Sequence, residues 1–222
     1  MNIKQNLQAI GDEITKTEQL YDREPGSVKL LAVSKTRSVA EIKLAIEGGQ
    51  YCFGESYVQE AIEKIKILKD YNLEWHFIGP IQANKTRLIA ENFSWVHSVD
   101  RIKIAERLNN QSKNLNICLQ VNISEEITKS GVGFDEIDYF ANAIKNLPNL
   151  NFRGLMAIPE PADDFNQQRA NFRKLREIFD RLNSQGYNLD TLSMGMTDDF
   201  MAAIAEGTTI IRVGTAIFEM RK

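Results

Sequence analysis

The stretch Val28-Lys29-Leu30-Leu31-Ala32-Val33-Ser34-Lys35-Thr36-Arg37-Ser38-Val39-Ala40-Glu41-Ile42 decides how this chain reads. An unbroken apolar run of strand length passes through a short polar turn into a segment with helical spacing. A run without polar alternation is what a strand buried on both faces requires, as in a parallel sheet covered by helices.

The same unit recurs along the chain. Strand-like runs fall at Val28–Val33, Tyr51–Phe53, Glu74–Ile78, Trp95–Ser98, Ile117–Ile123, Phe152–Ala157, Thr191–Ser193 and Thr209–Val213. Amphipathic stretches lie between and after them, at Val39–Glu47, Ser56–Leu68, Lys85–Glu91, Arg101–Gln111, Phe134–Asn146, Asn166–Ser184 and Asp198–Glu206. Alternation of this kind predicts parallel strands with right-handed crossovers. Eight strands in 222 residues predict an α/β fold, a single (β/α)8 TIM-type barrel, with an open doubly wound sheet as the alternative. Ile3, Leu7, Ile10, Ile14 and Leu20 add an N-terminal helix over Asn2–Tyr21. The tail from Ala216 to Lys222 is too short for a full eighth helix, so this extra helix is expected to cover the gap. No linker or low-complexity stretch divides residues 1–222, which read as one domain.

Composition narrows the function classes. Lys and Arg total 27 against 30 Asp and Glu, a net charge of −3, with 43% hydrophobic and 26% charged residues, the balance of a soluble globular protein. That gives no electrostatic reason to expect nucleic acid. No apolar run has membrane-spanning length, and the N-terminus lacks the apolar core of a signal peptide. Cys52 and Cys118 form no C-x-x-C pair, so a disulfide framework and a zinc site are both poor readings. A cytoplasmic monomer is expected.

Active sites of such barrels lie at the C-terminal ends of the strands. The residues there include Ser34-Lys35-Thr36-Arg37, Gly54-Glu55-Ser56, Asn122, Ser193-Met194-Gly195-Met196-Thr197 and Arg212-Val213-Gly214-Thr215. Loops after the seventh and eighth strands are the usual phosphate site of this fold. Ser193 and Thr215 offer hydroxyls there, and Gly195 and Gly214 let backbone N–H groups approach an anion. Asp198 and Asp199 read as N-cap and first-turn residues. Lys35, directly after a buried strand, is expected at the barrel mouth, where desolvation would favour the neutral amine that forms Schiff bases. Arg212 shares a strand face with Ile210 and Gly214, so it needs an acceptor inside the barrel. Glu55 is one candidate; the pyridine nitrogen of a bound cofactor is the other. A Schiff-base lysine, a phosphate cradle and a ring-nitrogen partner are the three fittings of pyridoxal 5'-phosphate (PLP). His76 and His97 read as satisfied core histidines. Met194 and Met196 read mainly as packing, although Met194, between Ser193 and Gly195, is counted with Asn122 among the cofactor-binding positions. No metal site and no catalytic residue are expected.

The sequence resembles the pyridoxal phosphate homeostasis protein family, relatives of the alanine racemase N-terminal barrel. The resemblance runs from about Leu30 to Phe218. It rests on Ala32-Val33-Ser34-Lys35-Thr36, Phe53-Gly54-Glu55-Ser56-Tyr57, Trp75-His76-Phe77-Ile78-Gly79-Pro80, Asn84-Lys85-Thr86, Gln120-Val121-Asn122-Ile123, Lys129-Ser130-Gly131-Val132, Arg153-Gly154-Leu155-Met156-Ala157, Leu192-Ser193-Met194-Gly195-Met196-Thr197 and Ile211-Arg212-Val213-Gly214-Thr215. It implies PLP held as an aldimine on Lys35, ring-nitrogen contact from Arg212, and phosphate contacts from Ser193, Gly195, Gly214 and Thr215. Ser56 stands where the family usually has asparagine, and Glu219 where a glycine commonly follows Ile-Phe.

Two functions fit: a PLP carrier that buffers or delivers the cofactor to PLP-dependent apo-enzymes, and a one-domain amino-acid racemase. Racemisation needs acid–base groups on both faces of the substrate. Lys35 serves one face. In the racemases that this barrel resembles, a tyrosine from an additional domain serves the other, and here the chain ends seven residues after Thr215. Tyr57 is the substitute within the barrel. An arginine keeps its protons and so meets an unprotonated ring nitrogen, which is a weaker electron sink. The carrier is the expected reading, with Lys85 and Lys129 as candidate second, transient PLP sites.

Overall fold

The structure is a computed structural model and describes residues 2–111, 114–124 and 130–218. Eight parallel strands close into a barrel in chain order. They are β1 (Lys29–Val33), β2 (Cys52–Glu55), β3 (Glu74–Phe77), β4 (Trp95–Val99), β5 (Leu115–Gln120), β6 (Leu150–Met156), β7 (Thr191–Ser193) and β8 (Ile210–Val213). The ring shuts where β1 pairs with β8, placing Leu31 opposite Arg212. The open-sheet alternative is thereby excluded.

Helices α1 (Ile3–Leu20), α2 (Val39–Glu47), α3 (Val58–Ile67), α4 (Thr86–Asn92), α5 (Ile102–Asn109), α6 (Ile137–Lys145), α7 (Phe165–Ser184), α8 (Phe200–Ala205) and α9 (Thr215–Phe218) surround the strands. Their starts follow local chemistry. Ser38 and Glu41 form a reciprocal capping box on α2, and Asp164 accepts from the Gln167 N–H at the start of α7. The apolar face of α1, with Ile3, Leu7, Ile10 and Ile14 buried, packs on α2, α8 and α9, and the Asn6 amide donates to the Ile217 carbonyl at 3.0 Å. The N-terminal helix thus covers the gap beside β8.

Alternate strand residues face opposite ways. Ala32, Phe53, Val96, Ile117, Leu155, Leu192 and Ile211 form one large core with the helices, while Trp95, Cys118 and Met156 make a separate buried cluster. Most element ends differ from the sequence reading by one to three residues, and two of these differences bear on the site. Strand β5 stops at Gln120 because Val121 turns to bridge Val132, and α8 begins at Phe200 instead of Asp198.

Gly154 sits where β6 meets β7 most closely, and a Cβ there would collide with the Thr191 carbonyl oxygen. Gly154→Ala should therefore lower stability by about 3 kcal/mol or more. Gly11, in α1 with open space around it, is the control: Gly11→Ala should raise stability by up to about 1 kcal/mol. Denaturant melts of the two variants check both signs.

Candidate functional site

The C-terminal ends of β3 to β7 open onto a cavity of about 490 Å³, within the range of small-molecule sites. Ile78, Pro80, Asp100, Gln120, Ile158 and Met196 are among its lining residues. Asn122, half-buried just past β5, donates its backbone N–H to the Val132 carbonyl.

Lys35 lies beside this mouth in a tight turn closed by the Arg37 N–H on the Ser34 carbonyl. Thr36 takes the third position of that turn at φ 62°, strained for a β-branched residue. Side chains from β2 and α3 hold it there. The Glu60 carboxylate accepts from the Thr36 N–H, and Lys64 donates to the Ser34 carbonyl and to both Glu55 and Glu60, at 2.6–2.7 Å. Burial pushes the Glu55 carboxyl up, against the pull of the Lys64 and Ser34 hydrogen bonds. Its second oxygen, Oε2, is buried with no hydrogen bond among the described residues. The Lys35 side chain itself is exposed, contrary to the expected desolvation, because the turn lifts it off the strand end.

The β7–α8 and β8–α9 loops meet through the Thr197 and Thr215 hydroxyls, 3.0 Å apart. Gly195 has φ 95°, and a Cβ there would press on Ala203; its carbonyl accepts from the Arg212 N–H. Asp199 takes the N-cap position of α8, but its side chain makes no cap hydrogen bond. Its carboxylate turns back to the Met196 N–H and closes the loop, with burial pushing its pKa up. The Met194 side chain is fully buried in the core between sheet and helices, so Met196 reaches the cavity and Met194 does not.

Arg212 is the buried cation of the site. Its guanidinium donates to Ser193 Oγ at 2.7 Å and to the Ala157 carbonyl at 2.9 Å, both neutral acceptors. Glu55 is not its partner, being committed to Lys64 and Ser34. Burial pulls the Arg212 pKa down to about 10, so the group stays charged at neutral pH. Two of its five N–H bonds are taken, and the other three have no partner among the described residues.

Ser193 is also turned inward. Its hydroxyl, fully buried, lies 2.8 Å from His97 Nδ1 as well as against Arg212. His97 Nε2 is 2.8 Å from His76 Nδ1, and His76 Nε2 is 2.8 Å from Glu74 at the base of the barrel. The two histidines are satisfied core residues, as expected from sequence. That they join Ser193 and Arg212 in one chain was missed. The signal was available, since Glu74 and His76 stand two apart on a buried strand and share its inner face.

The family described as alanine racemase, N-terminal domain, matches residues 5–222. The pyridoxal phosphate homeostasis protein of Pseudomonas aeruginosa is 52% identical over 99% of this chain and 96% of its own length. That of Haemophilus influenzae is 49% identical over 100% of this chain and 97% of its own. This chain belongs to the pyridoxal phosphate homeostasis protein family. Among solved structures, PipY of Synechococcus elongatus PCC7942 with PLP bound is 37% identical, with a TM-score of 0.82 over 92% of this chain and 99% of PipY. Of the family motif positions, Lys129 and the departure at Glu219 lie outside the described residues. No helix among the described residues is long and apolar enough to cross a membrane.

Burial lowers the pKa of both histidines, so each is neutral in the folded barrel but takes up a proton on unfolding near pH 6.5. Stability carried by a depressed folded pKa is present above the unfolded value and lost as pH falls. Thermal unfolding should therefore shift to lower temperature between pH 7 and pH 5. Glu55 and Asp199, pushed up by burial, act in the opposite sense over the same range. A Tm that is flat or rising towards pH 5 once both are removed, in a folded Glu55→Gln, Asp199→Asn variant, contradicts neutral histidines.

Proposed function

We propose that this chain binds PLP in the mouth cavity, attaches it to Lys35 as a Schiff base, and stores or delivers it to apo-enzymes without turnover. The observation that carries the reading is Arg212, a buried cation on neutral acceptors with three N–H bonds left to donate. A pyridine nitrogen is a lone acceptor of the kind such a donor lacks. PLP supplies an aldehyde, which condenses reversibly with a primary amine and releases water. The exposed Lys35 amine is open to that aldehyde, and the strained, cross-braced turn fixes where it stands.

For the phosphate, the inward turn of Ser193 leaves Thr215, the N–H groups around Gly195 and Gly214, and Thr197, which reaches Thr215, as the donors. Asn122 is close enough in sequence to the cavity residue Gln120 to flank the ring. The name shared by the curated relatives and the PLP bound to PipY support the same reading. One PLP-binding domain over residues 1–222, acting as a cytoplasmic monomer, goes with it.

Carrier is favoured over one-domain racemase by the name that the curated relatives share. Tyr57, the substitute acid–base group, is 55% exposed just before α3. Borohydride reduction of PLP-loaded protein should place the pyridoxyl group on Lys35 by peptide mapping. The same loaded protein should exchange the α-deuterium of amino acids far below the roughly 1 per second typical of enzymes. Trapping mainly at another lysine refutes the Lys35 assignment, and rapid exchange with inversion for any amino acid makes the protein a racemase.

A further inference from the structure

A chain of hydrogen bonds runs the length of the barrel interior. Lys29 Nζ donates to Glu74 Oε1 at 2.9 Å at the base, where both side chains reach solvent. From Glu74 the links pass to His76, His97, Ser193 and Arg212, every one between 2.7 and 2.8 Å. His76 and His97 are fully buried, and His76 stacks flat on Trp95.

The chemistry of its two ends gives the chain a direction. An ionised carboxylate only accepts, so His76 Nε2 donates to Glu74. A neutral imidazole carries one N–H, so His76 Nδ1 accepts from His97 Nε2. By the same rule His97 Nδ1 accepts the Ser193 hydroxyl hydrogen, and Ser193 Oγ accepts from Arg212, which cannot accept. With neutral histidines this is the one arrangement that fits.

We propose that Glu74, His76, His97 and Ser193 are positioning residues, a one-way hydrogen-bond column that holds Arg212 in its donor orientation and ties it to the solvent-facing base of the barrel. Without the column the guanidinium keeps one neutral acceptor, the Ala157 carbonyl. A proton added to the histidine pair reverses it. His97 Nδ1 then donates to Ser193, the Ser193 hydrogen loses its acceptor, and the barrel interior holds a second cation besides Arg212. The groups facing the pair set when that happens. Glu74 from β3 favours the added proton; Lys29 from β1 and Arg212 from β8 oppose it. Cys52 from β2 and Cys118 from β5, with thiols pushed up to about 11 and about 12, stay neutral. Arg153 from β6 lies over the Trp95 ring and is paired with Asp190 beside β7. Depressed histidine pKa values agree with a neutral pair.

The inference rests on the PLP reading for the identity of the acceptor that Arg212 meets, and the apoprotein separates the two. Long-range 1H–15N spectra of the apoprotein should show both histidines as neutral Nε2–H tautomers at pH 7. An Nδ1–H tautomer or a charged ring on either overturns the column, whatever the cofactor does. On saturation with PLP, read from visible absorbance, the His97 Nδ1 resonance should move. An unmoved resonance at saturation, or no saturation at all, overturns the coupling to Arg212, and the second result refutes the PLP reading with it. His97→Leu should weaken PLP binding at least tenfold and shift its absorbance. His97→Asn, which keeps an acceptor near the Nδ1 position, should recover most of both. Equal affinity and spectra in wild type and folded His97→Leu also overturn the proposal.

Discussion

The rest of this structure depends on keeping one guanidinium charged inside a closed barrel. A buried arginine is costly unless its hydrogen bonds are met, and the usual solution is a carboxylate. Arg212 instead has a serine hydroxyl and a backbone carbonyl, with Asp199 acting on it through space. The strands are arranged to make that tolerable. Closure of β1 on β8 fixes the register of Arg212, and the short strand β7 delivers Ser193 beside it. The histidines then pass the hydrogen bonding of Ser193 down to a carboxylate at the base. The charge keeps its solvation and still has bonds to give at the mouth.

A second constraint acts at the end of the neighbouring strand, β1. The turn carrying Lys35 contains a left-handed threonine, which costs about 1–3 kcal/mol and persists only when its surroundings over-determine it. The buried Lys64, braced by Glu55 and Glu60, supplies those surroundings. The bracing acts on the backbone on either side of Lys35, whose side chain is exposed. In both places the barrel gives up some stability to hold one polar side chain in one position, as binding sites do.

Most of the architecture was legible because it follows from periodicity. Val39–Glu47 and Thr191–Ser193 coincide end to end with the observed helix and strand, and the N-terminal helix packs where the short tail leaves room. Strand ends were less legible, since the polar residues there have two faces to choose from. Ser193 and Met194 are adjacent, so one must face the barrel interior and the other the helices, and composition does not say which. Asp199 has the chemistry of an N-cap, yet a backbone N–H three residues back in the same loop holds its carboxylate. The partners of Glu55 and of Arg212 come from elements far apart in sequence, which spacing alone does not rank. Lys35, Gly195 and Gly214 could be nominated from sequence alone because a post-strand lysine and turn glycines are local signals.

The most direct test of the account is a crystal structure of the protein grown with PLP. Continuous density from Lys35 to the cofactor, with its ring nitrogen within hydrogen-bond distance of Arg212 and its phosphate between the Gly195 and Gly214 loops, is the result the account predicts. PLP joined to another lysine, with the Arg212 guanidinium meeting no ligand atom, would contradict it.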